Sequence, residues 1–205
     1  MSRILVSIFL LWALAAPAAA QLSTWDIDGN HSNAQFSVRH MMVTNVRGTF
    51  GRMSGTVQWD PQDLSKTAIE ATIDATTIDT RNGKRDAHLK SADFFDVEKF
   101  PALTFKSAKA ERAGEGRLNL TGDLTIHGVT RQVVLAVEGP TPEIKGPGGR
   151  ARMGASAAVK INRKDFGLRW NRALEAGGWV VGDAVTITID VELIQKPAPT
   201  SGSAN

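Results

Sequence analysis

The chain of 205 residues has no cysteine and no tyrosine. Without thiols it has no disulfide, no thiolate metal site and no cysteine nucleophile, so its stability rests on packing and hydrogen bonding. It also lacks a surplus of one charge: 24 Lys and Arg stand against 21 Asp and Glu, a net +3. With both signs interspersed, no basic footprint for nucleic acid is present. The four histidines, His31, His40, His88 and His127, show neither H-x-H nor H-E-x-x-H spacing, so no single element offers a metal site. No G-x-S-x-G elbow is present, Asp165-Phe166-Gly167 occurs without the other kinase motifs, and Gly146–Gly154 lacks the Lys-Ser or Lys-Thr of a phosphate loop. No catalytic residue, metal or cofactor is therefore expected. The one long apolar run, Ile4 to Ala16, is short of the roughly 20 residues of a membrane span. With Arg3 before it and Pro17-Ala18-Ala19-Ala20 after it, this run reads as a secretory signal peptide over residues 1–20, cleaved after Ala20. That placement predicts a periplasmic protein with no stable membrane anchor, and no Cys follows the run to carry a lipid.

What the chain does contain is strand pattern. Ala34, Phe36, Val38 and His40 alternate with Asn33, Gln35, Ser37 and Arg39, and Ile69, Ala71, Ile73 and Ala75 alternate with Glu70, Thr72, Asp74 and Thr76. Leu118, Leu120, Leu124 and Ile126 share one face, as do Val185, Ile187, Ile189, Val191 and Leu193. One wet face and one dry face is the mark of antiparallel sheet. About eight such runs at hairpin spacing fit a sandwich or a closed barrel. Closure removes exposed edges, and Gly48, Gly51 and Gly55 supply bends, so the expected fold is all-β: a single antiparallel eight-stranded barrel over residues 21–196. Residues 197–205 are Pro, Ser, Ala, Gly, Thr and Asn and read as a disordered tail.

Only Arg81 to Lys106 breaks the rhythm. Arg81 to Ser91 has no period of two and predicts a short helix, a lid over one end of the barrel, with Leu89 its main apolar contact. Phe94, Phe95, Phe100 and Phe105 follow within twelve positions, and with Phe36, Phe50, Phe166, Leu168 and Trp170 they make an unusual stock of bulky groups.

Four blocks resemble the YceI family: Trp25–Asp60 (WDIDGNHSNAQFSVRH and onward), Arg85–Phe105 (RDAHLKSADFFDVEKFPALTF), Gly122–Leu135 (GDLTIHGVTRQVVL) and Ile161–Asn171 (INRKDFGLRWN). The resemblance implies an exported, lipocalin-like barrel whose channel holds a long-chain isoprenoid or another amphiphilic lipid, such as a quinone tail or a fatty-acid derivative. The expected function is a carrier or sequestering protein. An enzyme acting on such a lipid and a periplasmic protein-interaction module are the alternatives, and a homodimer is left open.

The expected binding residues fall into two groups. Phe36, Val38, His40, Phe50, Ile73, Leu89, Phe94, Phe95, Phe105, Leu120, Leu124, Phe166, Trp170 and Ile189 are expected to line or cap the channel. Arg81, Arg85, His88 and Arg163 are expected at its mouth, facing the polar end of the ligand, because that end needs polar partners where the tail does not. The competing expectation is structural: Arg85 and Asp86 form a salt bridge near Arg163 and Asp165 that anchors the helix.

Overall fold

The alternating runs become strands of one sheet in the computed structural model, which describes Leu22–Pro197. The expected leader, and the tail beyond Pro197, lie outside the described residues. In chain order the elements are β1 (Ser23–Ile27), β2 (Asn33–His40), β3 (Thr44–Phe50), β4 (Met53–Trp59), β5 (Ala68–Asp74), β6 (Ile78–Asp79), α1 (Gly83–Lys90), β7 (Ala102–Gly114), β8 (Arg117–Ile126), β9 (Val129–Glu138), β10 (Ile144–Lys145), β11 (Ala151–Asn162) and β12 (Val181–Gln195).

Every neighbour is antiparallel. β1 pairs with β4 while β2 pairs with β3, so β1–β2 and β3–β4 are two strands, each bent once. β5 and β6 form a third, pairing with β4 and β3 in turn. Ala75, expected in this strand, sits instead in the 3-10 turn Ala75–Thr77 that bends it. With each bent pair counted once, β7, β8, β9, β11 and β12 complete a ring of eight. β12 closes it, pairing with β11 on one edge and with β1 and β2 on the other. Close approach dictates glycine at the bends. A Cβ on Gly55 would collide with the Glu70 carbonyl, and one on Gly48 would lie 2.5 Å from Phe36 Cζ.

The meander gives the barrel two ends. At the lid end are the turn after β2, residues 80–101, the turn at His127 and residues 163–180. At the far end are the turns after β4, β7 and β9. Among the described residues, buried side chains form three separate clusters, one at the lid end around Phe50, Ile78 and Phe166, one around Trp25 and Leu193, and one on the wall at Ala110, Leu120 and Leu135.

Polar bonds hold the lid. Asn82 caps α1 by accepting from the Arg85 amide at 3.0 Å, and Ser91 Oγ closes it on the His88 carbonyl at 2.7 Å. No residue of α1 is buried. Its anchor is Thr80, whose amide and hydroxyl donate to Asp86 Oδ1 at 2.9 and 2.5 Å, while Arg85 donates to the Thr80 hydroxyl and carbonyl, both at 2.7 Å. The expected pairing of Arg85 with Asp86 near Arg163 and Asp165 is thus corrected: both side chains reach Thr80, because α1 starts only three residues after it.

Arg163 is 3% exposed and ties the loop after it to the start of β12 with its guanidinium. Nε donates to the Gly182 carbonyl at 2.9 Å, Nη1 to those of Leu168 and Trp170 at 2.5 and 2.9 Å, and Nη2 to the Val181 carbonyl and Asp183 at 3.4 and 3.3 Å. Burial pushes its pKa down from the usual arginine value, with Asp183 opposing that shift. At the turn after β2, Val43 N donates to the His40 carbonyl at 3.1 Å, and Met41 and Met42 take φ of 48° and 64°. Left-handed backbone costs a non-glycine residue roughly 1–2 kcal/mol.

At the far end a charged latch ties β1, β11 and β12 together. His31 Nδ1 lies 2.9 Å from Asp28 Oδ2 and 3.9 Å from Glu192, and Arg152 bonds both carboxylates. The hydrogen bond with Asp28 raises the His31 pKa, and the same contact is the main cause lowering that of Asp28.

Two predictions follow from these contacts. Arg163→Met strands the carbonyls of Gly182, Leu168 and Trp170, while Val181 keeps Asn171 Nδ2; each stranded carbonyl is worth about 1–3 kcal/mol, so urea unfolding should show a loss of at least about 3 kcal/mol. For the latch, the raised His31 pKa stabilises fully below about 6.5 and fades as pH rises through the folded value, while the lowered Asp28 pKa stabilises above about 3.9 and fades as pH falls through its own. The melting temperature of the wild type should therefore slip between pH 6 and pH 8.5 relative to His31→Gln, about 6.5 being the ordinary value on which this rests. Parallel pH curves for the two proteins would remove His31 from the latch.

Candidate ligand channel

Inward positions on the ring alternate between bulky and very small residues. Ala34, Ala71, Ala110, Ala155 and Ala157 all point inward, and the space they leave is a cavity of about 250 Å³. On β12 it is lined from Val185 through Ile187, Ile189 and Val191 to Leu193. That is a contour of roughly 27 Å at about 3.4 Å per residue. A cavity this long and of this volume is narrow. Inward Phe36, Val38, Ile73, Phe105, Leu124 and Ile189 stay partly accessible although they face the interior, as a filled core would not allow.

Twelve of the residues suggested by sequence line this space. They are Phe36 and Val38 on β2, Phe50 on β3, Ile73 on β5, Phe105 on β7, Leu120 and Leu124 on β8, Ile189 on β12, Leu89, Phe94 and Phe95 from the lid segment, and Arg163. The wall is almost wholly carbon. Its polar members are Gln35, Thr67, Thr104, Ser156 and Arg163. Arg163 has no free donor, as shown above. Thr67 Oγ1, toward the far end, is buried without a hydrogen-bond partner.

The other six lie outside the lining. Phe166 is 2% exposed and belongs to the lid-end core. Trp170 stands edge-on to His88 at 4.8 Å and tilted to Phe94 at 5.3 Å, and His88 Nε2 is 2.9 Å from Asp93. This trio pins the C-terminal turn of α1 to the segment after Arg163. Arg85 is engaged with Thr80, and Arg81 is exposed with its amide on Asp79 Oδ1 at 2.6 Å. His40 is half-buried at the end of β2. Sequence reasoning left β11 out of the channel, although Met153, Ala155, Ala157, Val159 and Ile161 line it with clean alternation. Their mixture of small and large residues hid the face.

Among the described residues, Asp28, His31 and Glu192 place ligand atoms within 4.8 Å of one another, the spacing of a metal site. Arg152 is bonded to both carboxylates, so a cation there would meet a guanidinium already occupying the charge.

The YceI-like domain family matches residues 25–193. A UPF0312 protein of Vibrio cholerae is 31% identical over 173 residues, covering 82% of this chain and 90% of its own. The crystal structure of a Campylobacter jejuni YceI protein superposes with a TM-score of 0.63 at 30% identity, over 78% of this chain and 90% of that one. A polyisoprenoid binding domain from Saccharophagus degradans, implicated in plant cell wall breakdown, has the same fold with a TM-score of 0.62 at 14% identity, over 86% of this chain and all of that one. A closed eight-stranded ring around an apolar channel, matched over all but its two ends, places this chain in the YceI family.

Proposed function

We propose that the protein is an exported carrier or sequestering protein for a long-chain apolar or amphiphilic molecule, of the class of polyisoprenoids, isoprenoid quinones or fatty-acid derivatives. The observation that carries this reading is the channel: a narrow space along the barrel with a carbon wall. Such a space accepts a slender hydrocarbon and offers little to a polar solute. The polyisoprenoid binding of the Saccharophagus degradans domain supports the same ligand class. Binding is favoured over turnover because, among the described residues, the only titratable side chain on the wall, Arg163, has its donors committed to the loop after it and the start of β12. The leader pattern over Met1–Ala20 supports export, and its cleavage would release the barrel into the periplasm from Gln21.

Mass spectrometry tests both parts. Protein recovered gently from the periplasm of a bacterial host should begin at Gln21 and release an organic-extractable chain in near-equal amount. Ala71→Trp places an indole in the middle of the channel and should cut occupancy by about tenfold or more while circular dichroism stays that of the wild type. A folded Ala71→Trp with full occupancy, or a wild type that carries and takes up no lipid, would sink the carrier reading.

A further inference from the structure

Among the described residues seven large apolar side chains stand exposed, and four of them lie at one place. Met41 is 43% exposed, Met42 58%, Val43 74% and Trp179 53%. They come from two segments that meet at the lid end. Met41 N donates to the Val180 carbonyl at 2.8 Å, and the side chain of Met42 lies against Gly178, where an added Cβ would come within 3.2 Å of its Cγ. Residues 172–180 fold back on themselves, with Val180 N on the Arg172 carbonyl at 2.9 Å and a bridge between Ala173 and Trp179. Met41 and Met42 sit at left-handed φ, where Asn or Gly would be at ease. A strained turn that presents two methionines to solvent points to use of those side chains.

Arginines flank the tip's two segments in sequence. Arg39 Nη2 donates to the Met42 carbonyl at 2.8 Å, which holds its guanidinium at the turn, and Arg47, Arg169 and Arg172 are exposed nearby in the chain. The ion pairs of arginines among the described residues belong to Arg52, Arg152 and Arg163, so these four have none. Glu175 is the only acid between Arg169 and Val181, and residues 39–50 contain none.

We propose that this tip docks the protein onto the surface of an anionic phospholipid bilayer. Tryptophan and methionine enter the headgroup boundary, where an amphipathic ring is at home, and the unpaired arginines meet the lipid phosphates. A protein partner is a poorer fit. Four side chains on two projecting loops fall far short of the roughly 800 Å² per partner of a stable protein interface, whereas a bilayer needs no matching hollow. The tip also has a useful position. The channel reaches Val38 and Val181, three positions before Met41 and two after Trp179, so docking brings the channel's end to the membrane. Exchange of ligand at that end rests on the carrier reading; docking itself does not.

The test is sedimentation of the exported full protein with vesicles of phosphatidylcholine alone and with phosphatidylglycerol added, its N-terminus established by mass. Binding to the anionic vesicles should be about tenfold tighter or more, and should weaken with salt. Val43→Ser with Trp179→Ser should abolish it, and Arg169→Gln with Arg172→Gln should remove the preference for anionic lipid. These residues are exposed, so the fold should survive, and any contribution of an unprocessed apolar N-terminus is common to all variants. Brominated lipid should quench fluorescence in the wild type and not in Trp179→Phe. No binding to anionic vesicles, or equal binding by the Val43→Ser/Trp179→Ser protein, overturns the proposal, as does a self-association that needs the tip in the absence of lipid binding. Extracting lipid from the same samples separates the two readings: vesicle binding by a protein that neither carries nor takes up ligand upholds docking and counts against the carrier.

Discussion

The ladder between β12 and its neighbours is the constraint on which the rest of the molecule depends. β12 runs fifteen residues without a break and bonds to β11 from Ala184 to Ile194, while its other edge is divided between β2 and β1. It spans the bend at Asp28–Ser32 that separates those two strands. Because this strand closes the ring, no long edge is left to pair with another chain, and the ring's diameter is set by its strand number. An eight-stranded ring is wide enough either to be filled by side chains or to hold one small ligand. Which of the two happens is decided by the volume of the inward residues.

Here the inward residues leave a gap on purpose of sequence. Phe36 lies over Gly48 and Phe105 over Gly122, each ring against the backbone of a neighbouring strand, with no room for a Cβ beneath it. Rings placed this way line a wall more than they fill a lumen. In mutational series, unfilled apolar volume costs about 24 cal/mol per Å³, which puts 250 Å³ on the order of 6 kcal/mol. That is comparable with the net stability of a whole domain, roughly 5–15 kcal/mol. An expense of that size argues against an incidental packing defect. It also means that a chain filling the channel restores contacts the protein makes with nothing else.

The fold was legible because its strands are one-sided: the alternations at Ala34–His40, Ile69–Ile73 and Val185–Leu193 each became a strand with the expected face inward. The wall of the channel was legible for the same reason, down to Phe36, Ile73 and Leu124. Residues whose role depends on contacts across the sequence were not. Arg163 and His88 look like charges available to a ligand until the chain folds, since nothing local shows that the carbonyls of Leu168, Trp170 and Gly182 will surround the one, or that Trp170 and Phe94 will flank the other. Thr80 carries no signal at all, yet it receives both Arg85 and Asp86. The latch of Asp28, His31, Arg152 and Glu192 joins residues from the two ends of the described chain and is invisible to any window of sequence.

The way the lid is held decides how it behaves. An element fixed by buried apolar area resists displacement gradually, since contacts are lost one by one, whereas α1 has no buried residue and is fixed by directional bonds converging on Thr80 and by the His88–Trp170–Phe94 contact at its other end. Such bonds fail together over a short distance, and an element with little buried area belongs to the low-stability end of a fold. Leu89 of α1 and Phe94 and Phe95 after it line the channel, so this segment covers the space at the lid end, with the Trp25 cluster at the far end. The segment that covers the channel therefore lies at the same end as the exposed methionines and Trp179. Under the carrier reading, entry of a long apolar chain by that end would disturb none of the ladder on which closure depends.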